Sequence, residues 1–403
     1  MSIDIEAIKS LENQLDPAML QRIETAVDRI VAAKESGGRV VVVTGSGPNV
    51  HEGVTTLVAQ LMWLGVIDGV TTSSAVVAHE MGGVLDKVKR VDGRKLGLDK
   101  SVLPRGYTFE LTLLDEETLA EVAEETMVDL DLLSRLKQEP GEVIIKAAGN
   151  LGYPMGLHIE RVAVEILALA RSQSATFEEV AGLGADERTM LGIGARKGLP
   201  VLVTIPQLVG GGAVGLGIGD SISISERGAR LARMLGSADV IIESAVALTQ
   251  EIHDGPFETY TGHGLWVAWR GHPTYSLEGK TLVRIDLDPA LETVWQAEQG
   301  QSAVQAAIDK GLPKTKLFKV PFRMEMSGFA RLEGSIAVTG DIGVVWPILA
   351  TRVADRLGLT LDFMSYPQQT PQGQAMREWI VEHVKPFSRR QMLDALRSRL
   401  RKA

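Results

Sequence analysis

The stretch from Gly192 to Glu251 limits the possible folds most sharply, because short apolar runs alternate in it with amphipathic ones. Leu199 to Ile205 reads as a buried strand. The loop after it, Gln207 to Asp220, carries six glycines: Gly210, Gly211, Gly212, Gly215, Gly217 and Gly219. An amphipathic helix, Ile224 to Leu235, precedes a second apolar run, Asp239 to Ile242. Short buried strands alternating with helices predict an α/β fold, its mostly parallel sheet covered by helices on both faces. In such sheets ligands collect beyond the carboxyl ends of the strands, where glycine lets backbone N–H groups approach a phosphate. Glycine loops also make lids and tight connections, so the loop admits nucleotide binding without requiring it.

The same unit recurs upstream. Apolar residues at helical spacing from Leu20 to Val31 predict a helix over 17–35, ended by Gly37 and Gly38. Val40 to Val43 reads as a buried strand, Gly45-Ser46-Gly47-Pro48 as a turn, and Glu52 to Leu64 as a helix. That is the form of a phosphate-binding unit, although the spacing is not G-x-G-x-x-G and Pro48 removes one N–H donor. A second unit has Val66 to Val70 as strand, the hydroxyl-rich turn Thr71-Thr72-Ser73-Ser74, and a helix carrying His79 and Glu80. Hydroxyls there bind phosphate or ribose, or cap the helix. Strand-helix units continue to about residue 360 with no linker or short repeat, which favours one continuous Rossmann-like sheet and a single large domain over 1–403.

Chemistry-bearing residues fall into several groups. Lys87 to Tyr107 is basic and reads as a solvated excursion, with Arg105 the residue most open to an anion-binding role. Glu116 to Leu136 is acidic and helical. Lys146 ends the apolar strand Val143 to Lys146, where it forms an imine, snorkels to water or pairs with a glutamate; Asn150, Gly152, Tyr153, His158 and Glu160 follow it. His253, His263 and His272, with Asp254, Glu258 and Tyr260 among them, form the densest titratable segment. No H-x-x-x-H or H-E-x-x-H spacing supports a metal there, and none is expected. The strand Thr281 to Ile285 ends in Asp286 and Asp288, which suit ribose hydroxyls or a helix cap before Pro289. Ser335 to Thr339 repeats the strand, Gly340 to Gly343 the glycine turn, and Val344 to Leu357 a helix. The basic tail from Phe387 reads as an amphipathic helix that docks on its own protein or a subunit partner.

Composition excludes other classes. A net charge of −9 argues against bulk electrostatic binding of nucleic acid. The absence of cysteine rules out disulfides, thiolate catalysis and cysteine-bound zinc. The acidic start is not a signal peptide, and no run of about 18 apolar residues is present to span a bilayer, so a cytoplasmic location is expected.

The order of motifs resembles the deoxyhypusine-synthase-like NAD-binding fold, closest to the ornithine cyclodeaminase family, also described as lysine-ketoglutarate reductase/saccharopine dehydrogenase-related. The likeness is carried by VVVTGSGPNVHEGV, by DGVTTSSAVVAHE, by the stretch from ARKGLPVLVTI to ADVIIESAVALTQEIH, and by VRIDLDPALETVWQAEQGQSAVQ. It spans residues 39–306, which it implies are a dinucleotide-binding core, with 320–403 packed on it as an extension. The resemblance implies a resident NAD lined by Ser46, Gly47, Ser73, Ser74, Gly211, Asp286 and Asp288. It also implies proton transfer or substrate contact by Glu80, Lys146 and His253, a small amino or hydroxy acid as substrate, and a homo-oligomer, either a dimer or a tetramer.

Departures from the family bear on the reaction. Gln207 to Gly219 holds no acid, where the cyclodeaminase loop is acidic and suits a cationic substrate. Arg270 stands where a loose comparison with deoxyhypusine synthase seeks its lysine, and arginine forms no imine at neutral pH. The first departure puts ornithine itself in doubt and the second argues against the deoxyhypusine reaction; the resemblance still implies an ammonia lyase of cyclodeaminase type first, and a C–N transferase or dehydrogenase second. A non-catalytic nucleotide-binding regulator is the reading from another class.

Overall fold

The computed structural model describes residues 3–45, 47–149, 152–204, 210–245, 258–259, 273–299, 306–307, 309–313, 316–317, 319 and 332–401. The chain is an α/β protein that divides into two compact units. The first comprises residues 1–73, 199–207 and 223–376; the second comprises 74–198, 208–222 and 377–403.

The first unit is built on a six-stranded parallel sheet. Its strands are β1 (Val40–Thr44), β2 (Gly69–Thr72), β6 (Val201–Val203), β7 (Val240–Ser244), β8 (Thr281–Asp286) and β9 (Ile336–Thr339), in the order β6-β2-β1-β7-β8-β9. Every residue of β1, β2, β6 and β7 is buried, as expected for β-branched strands covered on both faces. Val41, Val43, Leu202, Leu235, Ile241 and Leu282 form part of the core against one face. β2 starts three residues later than the apolar run predicts. Val66 and Ile67 instead close the preceding helix by donating to the Leu61 carbonyl, and Thr71 and Thr72 lie inside the strand rather than in a turn. The helix predicted over 52–64 runs from Val54 to Trp63 after Gly53, whose φ of +72° suits glycine, and a single helical turn, Pro48–His51, precedes it.

The second unit contains an antiparallel sheet of three strands, β4-β3-β5, formed by β3 (Leu85–Asp92), β4 (Thr108–Thr112) and β5 (Glu142–Ala147). Two expectations change here. The basic excursion from Lys87 is a strand as far as Asp92, and Val143–Lys146 belongs to this sheet rather than to the parallel one. Val91, Leu96, Leu111, Leu133 and Leu136 form a core cluster in this unit. The acidic helix is two helices, Glu116–Glu125 and Leu130–Gln138, each begun by an aspartate side chain that accepts a backbone N–H.

The glycine-rich loop is shorter than its composition implies. Only Gly210, Gly211 and Gly212 take positive φ, while Gly215, Gly217 and Gly219 lie within the helix Ala213–Ser221. Gly217 is there for packing, since a Cβ at that position would come within 2.9 Å of the Phe177 ring. The tail helix spans Arg389–Leu400. No helix among the described residues is long and apolar enough to cross a membrane.

Candidate functional site

In the first unit the polar groups gather at the carboxyl ends of the parallel strands. The strand order reverses between β1 and β7, so their exits lead in opposite directions. At that point Gly47 has φ +69°, and a Cβ built on it meets nothing within 4 Å. The Asn49 side chain donates to the Ser244 carbonyl at 2.9 Å and accepts from the Ser244 hydroxyl at 2.6 Å. Trp346 Nε1 donates to the same hydroxyl at 2.8 Å. This buried network ties the turn after β1 to the end of β7, where Ala245 takes a φ of +46°.

Further along the edge, Thr44 Oγ1 donates to Thr72 Oγ1 at 2.9 Å. The Thr71 and Thr204 hydroxyls are buried and have no hydrogen-bond partner. Asp286 Oδ1 accepts the Asp288 N–H at 2.9 Å, and its other oxygen lies 3.5 Å from Arg284 Nη2. Asp288 Oδ1 accepts the Ala290 N–H at 2.8 Å, which makes it the cap of the helix Ala290–Gln299. Ser73 follows directly on β2.

The second unit holds the remaining described candidates. Ser74 is buried at the start of the helix Ser74–Met81, and Gly211 packs so close that a Cβ would lie 2.8 Å from the Ser74 carbonyl oxygen. The N-terminus of helix Ala213–Ser221 already has an anion, because Glu160 accepts the Ala213 N–H at 3.0 Å. Glu80 is 1% exposed; its two oxygens accept the Met190 and Leu191 N–H groups, each at 2.9 Å, at the start of helix Met190–Lys197. Burial pushes its carboxyl up to about 7 against the opposing pull of those donors. It is built as the cap of a buried helix.

Lys146 lies in a group of titratable residues on one face of the small sheet. Its ammonium is 2.7 Å from Glu110 Oε2, so of the arrangements open to it the structure contains the pairing with a glutamate. Asp86 is its register partner across β3 and β5, and burial pushes that carboxyl up to about 7, offset in part by the Gly149 N–H. His79 Nδ1 bonds the Ala148 carbonyl, and burial lowers its pKa. A nitrogen facing a carbonyl must carry the proton, which leaves Nε2 of the neutral ring as an acceptor. Arg105 is exposed, and His158 is buried near Thr126 and Glu125.

Asn49, Asp86 and Thr112 are the polar residues that sequence reasoning passed over. Ser46, Asn150, His253, Asp254, Tyr260, His263 and His272 lie outside the described residues. Among those described, no group of three or more histidines and acids could hold a metal ion.

No protein-family model matches the chain, and no curated protein matches it in sequence. Solved structures do match in shape. AgrE in a ternary complex with ornithine and NAD+ is 14% identical at a TM-score of 0.38, over 84% of this chain and 33% of AgrE. ArgZ, an arginine dihydrolase from the ornithine-ammonia cycle in Cyanobacteria, is 13% identical at 0.39, over 85% and 32%. A LOR/SDH protein from Methanococcus maripaludis S2 is 13% identical at 0.37, over 89% and 70%. The chain spans about a third of the length of AgrE and ArgZ. At such identities and scores, a functional reading has to rest on the strand ends and side chains of this chain.

Proposed function

We propose that this chain is an NAD-dependent enzyme that acts on a small amino or hydroxy acid by transient hydride transfer. An ammonia lyase resembling ornithine cyclodeaminase is the specific form we favour. The observation that carries the reading is the reversal of strand order between β1 and β7, with Gly47 beside it. Parallel sheets bind ligands at such a reversal, in the crevice outside the strand ends.

The residues there are compatible with a dinucleotide. Gly47 leaves open the space that a Cβ would take, so a phosphate could approach its backbone. The buried hydroxyls of Thr71 and Thr204 have no partner, and a ribose or phosphate would satisfy them. Because Pro48 has no N–H, hydroxyls rather than a run of backbone amides would carry the contacts. Ser73, directly after β2, and Asp286, at the end of β8, would complete the set. NAD bound there would supply the hydride acceptor. Of the catalytic candidates, we assign Lys146 and His253 to substrate contact or proton transfer, and Glu80 to holding its helix. A homo-oligomer in the cytoplasm belongs to the same reading.

The test is a titration of the purified protein with NAD, after release and mass analysis of any dinucleotide that co-purifies. Stoichiometric binding, weakened tenfold or more by Gly47→Val in a variant with an unchanged circular dichroism spectrum, supports the reading. A protein that carries no dinucleotide and binds none sinks it. Amino acids can then be screened for ammonia: release without net NADH supports the lyase, and net NADH the dehydrogenase.

A further inference from the structure

The buried network beneath the strand reversal ends in two groups that bond in one sense only. The Trp346 indole N–H donates and cannot accept, and the Ser244 carbonyl accepts and cannot donate. Between these fixed ends the Asn49 amide has one consistent orientation. Its nitrogen faces the carbonyl, so its oxygen faces the Ser244 hydroxyl. The hydroxyl gives its proton to Asn49 and takes the indole N–H on a lone pair. Asn49, Ser244 and Trp346 are each 0% exposed, so water does not replace a bond lost from this chain.

Asn49 belongs to the single helical turn Pro48–His51, in which the Val50 and His51 N–H groups both bond the Gly47 carbonyl at 3.0 Å. One turn of helix does not hold its own shape in water, so the side-chain anchor has to fix it. Trp346 reaches that anchor from the helix Ile342–Leu357. Gly343 on the same helix leaves room for the Glu52 side chain, directly after the turn. On the facing strand, Ser244 precedes Ala245, whose φ is +46° and whose N–H bonds the Ile285 carbonyl at 2.9 Å. A residue with a Cβ enters that region at a cost and stays only where its surroundings over-determine it. Both rims of the crevice are thus held by bonds to other segments rather than by their own preference.

We propose that Trp346 and Ser244 are positioning residues: through Asn49 they hold Gly47 and its turn in the shape that a ligand at the strand ends meets. The proposal rests on the reading above only in naming that ligand as NAD. Because the seat is ordered when the chain folds, the cost of ordering it does not fall on binding. Removing the indole N–H frees the hydroxyl to bond either way, and the amide is then free to turn over. Affinity falls with the fraction of time that the turn keeps its binding shape.

The test compares Trp346→Phe with Leu349→Val, by hydrogen exchange over residues 47–53 and by calorimetric titration of the full chain with NAD. Leu349 is buried on the same helix, so Leu349→Val removes packing there without removing a hydrogen bond. We expect Trp346→Phe to speed exchange at Val50, His51 and Glu52 and to weaken NAD about fivefold, the effect of one lost buried bond. Leu349→Val should lower the urea midpoint and leave NAD affinity and exchange in the turn unchanged. Ser244→Ala, which removes only the hydroxyl, should act like Trp346→Phe and carries the test if that variant fails to fold. NAD bound at full affinity by Trp346→Phe or Ser244→Ala, or exchange over 47–53 no faster than in Leu349→Val, would overturn the proposal. If the unaltered protein binds no NAD, faster exchange in Trp346→Phe still supports the hold on the turn, and the dinucleotide reading alone fails.

Discussion

The two sheets of this protein handle polar groups in opposite ways. In the parallel sheet, β1, β2, β6 and β7 are buried at every position, and the polar side chains are concentrated towards the carboxyl ends, at Thr44, Thr72, Ser244 and Asp286. In the antiparallel sheet, β3 alternates lysines, an arginine and aspartates with valines along its length, and β5 is nowhere fully buried. A strand covered on both faces has no side on which a charge can reach water, so function is confined to its ends. A three-stranded sheet with a partly open face can hold acids and bases along the strand itself. Polar chemistry therefore sits at an edge in one unit and on a face in the other.

The largest effect that could sharpen this comparison is at Glu80. Glu80→Ala leaves the Met190 and Leu191 N–H groups buried without acceptors, which should cost about 3–5 kcal/mol. Denaturant unfolding measures it, and a loss below about 1 kcal/mol would mean that the carboxylate is not holding the helix. The counterpart in the first unit is Ser244→Ala, which removes the hydroxyl shared by Asn49 and Trp346. A loss of about 2–3 kcal/mol is expected, smaller because Asn49 keeps its bond to the Ser244 carbonyl.

The legibility of the sequence follows the same division. Val40–Val43, Leu199–Ile205 and Thr281–Ile285 were readable as strands because continuous apolar runs bounded by turns mark strands buried on both faces. Lys146 was open in sequence to an imine, to water or to a glutamate, and only the pairing of β5 with β3 and of β3 with β4 brings Glu110 to it. β3 was not readable: its lysines and arginine look like a solvated loop, and only pairing with strands some twenty and fifty residues away makes it a strand. Gly215, Gly217 and Gly219 looked like loop residues, but all three lie inside a helix, and at Gly217 the Phe177 ring leaves no room for a Cβ. Asn49 and Asp86 were missed for a related reason. Asn49 acquires its role from Ser244, 195 residues away, and Asp86 from burial that no local pattern announces.

A pH titration of stability separates the units further. Glu80 and Asp86 both have folded-state pKa values of about 7, above their ordinary values of 4.5 and 3.8, and both belong to the second unit. The folded state then binds more protons than the unfolded chain between about pH 4 and pH 7. Stability from these groups is complete below that window and is lost as pH rises through 7, by up to about 1.4 kcal/mol per pH unit for each group. Asp86→Asn should flatten part of the slope in urea midpoints measured from pH 4.5 to 7.5. A slope unchanged by both Asp86→Asn and Glu80→Gln would show that neither carboxyl is protonated in the fold.

The smallest effect belongs to the other face of β3. Lys87 pairs with Glu378 at 3.1 Å, but the two side chains are 41% and 50% exposed. Water screens such a pair, and holding two long side chains in one geometry costs entropy, so the net contribution should be at most about 0.5 kcal/mol. A double-mutant cycle with Lys87→Gln and Glu378→Gln, run at low and at high salt, measures it. The coupling should fall towards zero at high salt, where the Debye length is only about 3 Å. A coupling that survives salt and exceeds 1 kcal/mol would mean that this face is as sheltered as the one carrying Asp86.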